Sequence, residues 1–245
     1  GDHSTTGFGA TYDMSENLQL VAGFHEGMTA MFGTDPEKAD NMELGFRYAK
    51  NDSSLEAFYF ASDYKNLKAV CKNSQGGDCN DGDIFDGGAV DVSGIEISGS
   101  HIFNGSEGML YPIGLTFTST DATFKNSFDD GEYWGVVAAG DDVPYVPSSS
   151  LALVVGFINS NGLSGNIRLV ENGSACSTAS CGVNQNIEAH SFIDLNLRKP
   201  LNDKTDVYFV MENILDHEDI VARAPKDGAR SQKPRTLKVG FTYKL

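Results

Sequence analysis

Hydrophobic and polar positions alternate with period two along most of this chain. At its end, Leu237, Val239, Phe241, Tyr243 and Leu245 are apolar, while Lys238, Gly240, Thr242 and Lys244 between them are polar or small. A strand whose two faces meet different surroundings needs this pattern. The start of the chain repeats it, with Phe8, Ala10, Tyr12 and Met14 set against Gly7, Gly9, Thr11 and Asp13. So does the stretch around Met42, Leu44, Phe46 and Tyr48, opposed by Glu43, Gly45 and Arg47. The pattern predicts eleven strands, at 7–14, 18–25, 41–49, 54–70, 89–103, 110–119, 148–160, 163–170, 189–200, 205–212 and 235–245. The fold class is therefore all-β and antiparallel. No window has convincing helical amphipathicity, and no apolar run approaches the ~18 residues of a membrane-spanning helix.

The connections alternate short and long. Ser15-Glu16-Asn17, 50–53, 104–108, Asn161-Gly162 and 201–204 are short turns, whereas 26–40, 71–88, 120–147, 171–188 and 213–234 are long. A soluble sandwich needs no such asymmetry, because both of its ends face water. A transmembrane β-barrel has it, with short turns on one side of the bilayer and long loops on the other. The final stretch is also about as long as a tilted spanning strand, roughly 9–11 residues. Glu43, Arg47, Glu96, Asp194 and Arg198 all lie opposite the apolar face, which in a barrel is the lumen and not the costly lipid side. Eleven is an odd count, whereas closed single-chain bacterial barrels are even. A lipid-embedded open sheet would leave two unpaired edges. The chain is thus expected to form part of a larger barrel.

Composition narrows the function classes. The 245 residues carry a formal net charge of −16, with 27 Gly and 7 Pro. No basic stripe exists to neutralise phosphates, so nucleic acid is not expected as a partner. The polar start Gly1-Asp2-His3-Ser4 is not a signal peptide, which implies a removed leader or a chain that begins within a protein. Four cysteines form two close pairs, Cys71/Cys79 and Cys176/Cys181, each in a polar Gly/Ser/Asn-rich stretch. Two local disulfides and an oxidising compartment are expected. Zinc is the competing reading, but no His lies near either pair and the spacings are not those of zinc sites.

Five segments then carry a family resemblance. Pro36-Glu37-Lys38-Ala39-Asp40-Asn41-Met42-Glu43-Leu44-Gly45-Phe46-Arg47 resembles a "PEKs-N-ELG-R" segment, and Gly94-Ile95-Glu96 a "GxE" strand. Asp142-Val143-Pro144-Tyr145-Val146-Pro147 is similar to a loop entering a later strand, and Glu212-Asn213-Ile214-Leu215-Asp216 to "eNLfD". Pro225, Gly228-Ala229-Arg230 and Pro234-Arg235-Thr236 repeat a C-terminal signature. In this order they resemble the C-terminal half of the β-barrel of TonB-dependent outer-membrane receptors, most closely the ferric-citrate-receptor-like branch. That barrel has 22 strands around a plug, so the resemblance implies that residues 1–245 supply strands 12 to 22. It further implies uptake of a ferric chelate of the siderophore or iron-citrate type. The expected partners are the TonB-ExbB-ExbD system, reached through an N-terminal part, and outer-membrane lipid, with an N-terminal half or a second chain closing the barrel. Two departures stand out: neither a plug domain nor an energy-coupling box occurs in these residues, and Leu245 stands where the family usually has an aromatic.

Candidate chemistry is sparse. His3, His25, His101, His190 and His217 are scattered, and neither a nucleophile–base order nor metal-ligand spacing emerges. No cofactor is expected and an enzyme reading has no support. The stretch Asp78-Cys79-Asn80-Asp81-Gly82-Asp83 hints at calcium, but its glycine is misplaced for an EF-hand loop, leaving a solvated acidic loop as the default. The last long loop is basic, with Arg223, Lys226, Arg230, Lys233 and Arg235. These residues form either an anion clamp for a ferric chelate or a brace of the barrel rim; the brace is favoured, because Arg230 and Arg235 belong to the resembling signature. Tyr133 and Trp134, in the longest loop, either contact ligand or pack that loop against its neighbours. The acidic loops oppose an anionic ligand at long range, so the branch resemblance does not fix the substrate. The rival class is a truncated or split barrel acting as a structural or interaction protein without transport.

Overall fold

The computed structural model describes residues 4–30, 35–70, 80, 82–129, 134, 136–223 and 228–244, with the side chains of 69, 70, 85–87 and 129 excepted. Eleven strands form one antiparallel meander in which each pairs with its sequence neighbours. They are β1 (Gly7–Ser15), β2 (Leu18–Thr29), β3 (Glu37–Lys50), β4 (Ser53–Val70), β5 (Ile84–Asn104), β6 (Leu110–Phe124), β7 (Ser149–Ile158), β8 (Ser164–Asn172), β9 (His190–Asn202), β10 (Thr205–Glu212) and β11 (Thr236–Tyr243). The sheet edges are β1 and β11. With an odd number of alternating strands between and including them, the two edges run in the same direction.

The register turns strand-level alternation into a sheet-wide surface. One cross-strand row runs Tyr12, Leu20, Phe46, Ala57, Ile97, Phe117, Leu151 from β1 to β7. Another runs Ile113, Val155, Ile167, Leu195, Met211, Leu237 from β6 to β11. A one-residue slip at any strand would break these rows, since side chains alternate between faces. The opposite face carries Gln19, Arg47, Glu56, Ser98 and Thr116 in one row. The apolar face is not covered: Val239 and Phe241 are 75% and 73% exposed. In water such a continuous surface would be far larger than a soluble monomer tolerates.

Four strands run beyond the alternating segments. β2 continues to Thr29, β3 begins at Glu37, β5 at Ile84, and β6 continues to Phe124. Backbone ladder bonds persist there although the apolar pattern stops. The row beyond Phe24, Met42 and Ala61 is Glu26, Asp40, Asp63, Asp91. Lys65 bridges Asp40 and Asp63, and Lys125 bridges Asp63 and Asp91. This charged row marks where the apolar band ends on the long-connection side.

Two glycines on the polar face admit aromatic rings across the strands. A Cβ at Gly45 would meet the Phe58 ring at 2.5 Å, and one at Gly94 the Phe60 ring at the same distance. Phe58 and Phe60 fill these gaps, a packing that pins register in Gly-containing sheets. Short connections, including the Asn161-Gly162 turn, occupy one rim, and all the long ones the other. The buried cluster of Val90, Phe124, Trp134, Val137 and Ala179 sits at the long-connection rim, with Tyr64, Leu67 and Phe128 packed on it.

Candidate ligand-binding rim

The connections after β6, β8 and β10 each carry a small ladder of their own. In the connection after β6, Phe128–Asp129 pairs with Val136–Val137. This hairpin drives Trp134 inward, to 8% exposure, with ring centroids 5.5 Å from Phe124 and 5.9 Å from Phe128. Trp134 therefore packs the loop, and its indole is held inside the cluster. Tyr133 lies outside the described residues.

In the connection after β8, Ala175–Cys176 pairs with Asn186–Ile187. The Cys176–Cys181 disulfide closes the tip, with Cα atoms 5.4 Å apart. Gln185 fills this tip: its side-chain oxygen accepts from the Gly182 N–H at 2.8 Å and from the Thr178 hydroxyl. Ser177, Thr178 and Ala179 are buried, and the Ala179 N–H donates to the Trp134 carbonyl at 3.2 Å. Cys71 and Cys79 lie outside the described residues, as do three of the six residues in the acidic stretch 78–83. Within that stretch, Asp83 accepts from the Asn80 backbone and side-chain amides at 3.2 Å.

The connection after β10 turns on Asn213. It is 4% exposed with φ +49, a left-handed conformation that Asn tolerates. Its N–H donates to Asp194 Oδ1 at 2.9 Å, and its amide donates to the carbonyls of His217 and Lys233, each at 2.9 Å. The two ends of a 23-residue loop are thereby tied to the barrel-side carboxylate of Asp194. Further out, Ile220–Ala222 pairs with Arg230–Ser231. Arg223 Nε donates to the Asn186 carbonyl at 2.7 Å, and the Tyr145 hydroxyl donates to the Arg223 carbonyl. Arg230 is exposed on its short strand. Arg235 pairs with Asp216 at 3.5 Å, and Lys233 shares Glu212 with Lys238. Lys226 lies outside the described residues. The structure thus places Arg223 and Arg230 in one loop and joins that loop, through Tyr145, to the loop that buries Trp134.

Tyr145 is visible in the sequence only as part of the segment 142–147, with no role of its own, and Gln232 not at all. Gln232 is buried and donates to the His217 carbonyl at 2.7 Å. The available signal for Tyr145 was its place between Pro144 and Pro147, a spacing that stiffens the backbone.

Below the rim the polar face is laced by ion pairs. Arg198 meets Asp206 at 2.6 Å, and Arg47 lies 3.7 Å from Glu56 with its guanidinium 5.4 Å over the Phe58 ring. A cavity of about 650 Å³ lies along this face beside Gly114, Gly156, Asn166, Asn196, Arg198 and Tyr208. A second, of about 680 Å³, lies at the rim and includes His190, His217, Glu171 and Asp219. Just outside β6, the Lys125 ammonium is held above its ordinary range by hydrogen bonds to Asp91 and Asp63. Among the described residues no three His, Cys, Asp or Glu side chains form a group able to hold a metal ion. No helix among them is long and apolar enough to cross a membrane.

Comparison with known proteins gives one family. Residues 1–214 match the profile of the TonB dependent receptor-like β-barrel. The fold also matches solved receptors. The ferric-catecholate import receptor Fiu of E. coli K12 shares 21% identity at a TM-score of 0.73, over 97% of this chain and 34% of its own. The ferric citrate transporter FecA shares 17% at 0.75, over 97% and 38%. The siderophore receptor PiuA of Acinetobacter baumannii shares 16% at 0.76, over 98% and 35%. The chain thus spans between about a third and two-fifths of these structures. No curated protein matches it by sequence.

Proposed function

The chain belongs to the TonB dependent receptor-like β-barrel family, and from that premise we propose that it serves uptake of a ferric chelate across the outer membrane. In this reading residues 1–245 are the C-terminal portion of the barrel and supply wall and external loops. The observation that carries it is the unbroken apolar surface from β1 to β11, backed by a charged face and capped on one rim by all the long connections. Such a surface is stable against lipid and not against water. Lipid also requires the backbone of both edges to be paired. Because β1 and β11 run the same way, all-antiparallel closure needs an odd number of further strands. A second copy inserted in the same orientation offers only like-directed edges, so closure by an N-terminal barrel segment is favoured over closure by a second chain of this kind.

The structures the fold matches are named for a catecholate, citrate and a siderophore. The shared class is a ferric chelate, and the citrate branch is one member of it. Capture falls to the rim loops, with exposed Arg230 meeting the chelate's anionic oxygens and Arg223 holding its loop in place. Release inward is driven by a TonB-ExbB-ExbD partner acting through the N-terminal part. Deleting the gene and following uptake of radiolabelled iron chelates tests this directly. Loss of energy-dependent uptake for one chelate class is expected; unchanged uptake of all of them would leave a structural role instead. The native protein extracted with detergent should have an intact mass well above 26.3 kDa, and a mass equal to that value would contradict the C-terminal-portion reading.

A further inference from the structure

The three loops that follow β6, β8 and β10 share one seam, and Tyr145 stands at its centre. Its backbone N–H donates to the Cys176 carbonyl at 2.8 Å, which ties the first loop to the second. Its hydroxyl donates to the Arg223 carbonyl, which ties the first to the third. Arg223 Nε donates to the Asn186 carbonyl at 2.7 Å, which ties the third to the second. The triangle is closed. Tyr145 holds φ +62, a left-handed conformation that a bulky residue keeps only where its surroundings determine it.

A separate tie lies deeper. The Ala179 N–H donates to the Trp134 carbonyl at 3.2 Å, and both residues belong to the buried cluster at the rim. The disulfide links the two ties. Cys176 takes the hydrogen bond from Tyr145, the chain then dips through buried Ser177, Thr178 and Ala179, and Cys181 returns to Cys176. That covalent closure, added to the hydrogen bonds of Gln185 with Gly182, Thr178 and Ser177, holds the buried tip and the Tyr145 contact in fixed relation.

We propose that these three loops form a single latched body, fastened by Tyr145 and Arg223 and pinned by the Cys176–Cys181 disulfide. The body moves as one and not as three independent flaps. This rests on rim geometry and is independent of which chelate is carried.

Amide hydrogen exchange read by mass spectrometry on the full-length protein in detergent micelles tests it. The variants are Tyr145→Phe, Arg223→Ala and the double Cys176→Ser/Cys181→Ser. Each is expected to raise exchange in all three loops together, by roughly tenfold where one stabilising hydrogen bond is lost, while β1–β11 stay protected. The disulfide variant should also shift Trp134 emission to the red as the cluster loosens. Exchange that rises only in the substituted loop would overturn the latch. Strand protection in the same data identifies any variant that has failed to fold, and Tyr145→Phe keeps the ring, so at least one variant reports on the latch alone.

Discussion

Asn213 shows how one polar side chain organises a rim. Its side chain makes three hydrogen bonds, two with His217 and one with Lys233, and its N–H donates to Asp194, in a nearly water-free position. Asn213→Ala strips the Lys233 carbonyl and the His217 N–H of their side-chain partner and leaves the His217 carbonyl to Gln232 alone, and the left-handed backbone then suits the new residue less well. A loss of about 2–4 kcal/mol is expected by denaturant unfolding in detergent, since each stranded buried group costs about 1–3 kcal/mol. Gly94 makes the complementary case. Gly94→Val would drive a side chain into the Ser119 carbonyl and the Phe60 ring, so a clear drop in thermal stability is expected, whereas Gly23→Ala, with open space around it, should change little. At this scale the sequence was partly legible. The motif containing Asn213 was visible, but its role was not, because its partners lie 4, 19 and 20 residues away. Trp134 was equally open to ligand contact or packing, since nothing in the sequence fixes whether a loop folds back on its own aromatic.

The strands were the most legible elements. Period-two alternation located all eleven strands of the sheet, because one of its faces is apolar and the other polar. It misjudged their ends wherever the ladder outlasts the apolar band, as in β5, which begins at Ile84 and not near residue 89. The two- and three-residue ladders inside the long connections left no periodic trace; they form through tertiary contacts such as Trp134 with Ala179. The face assignment makes a paired prediction. Val155→Arg places a charge in the middle of the apolar surface and should cost about 2–4 kcal/mol in a bilayer. Thr116→Arg places it on the polar face of the neighbouring strand and should be tolerated. Refolding into lipid vesicles, monitored by denaturant titration, distinguishes the two; equal effects would remove the basis for the face assignment.

For the whole molecule, the meander explains what no single strand does. Its alternating direction collects every long connection, the disulfide and the buried aromatic cluster on one rim, and leaves edges β1 and β11 pointing the same way. The overall fold followed from counting strands and connection lengths, while the stitching of the loops into a common rim required the three-dimensional contacts. The central claim is that the apolar face meets lipid while the polar face meets water. Spin labels placed one at a time from Leu237 to Tyr243 along β11, in the full-length protein in membranes, test it most directly. Labels at 237, 239, 241 and 243 should collide preferentially with lipid-dissolved oxygen, and those at 238, 240 and 242 with a water-soluble nickel chelate, giving two out-of-phase period-two profiles. A profile in which every position is equally open to the nickel chelate would contradict the account.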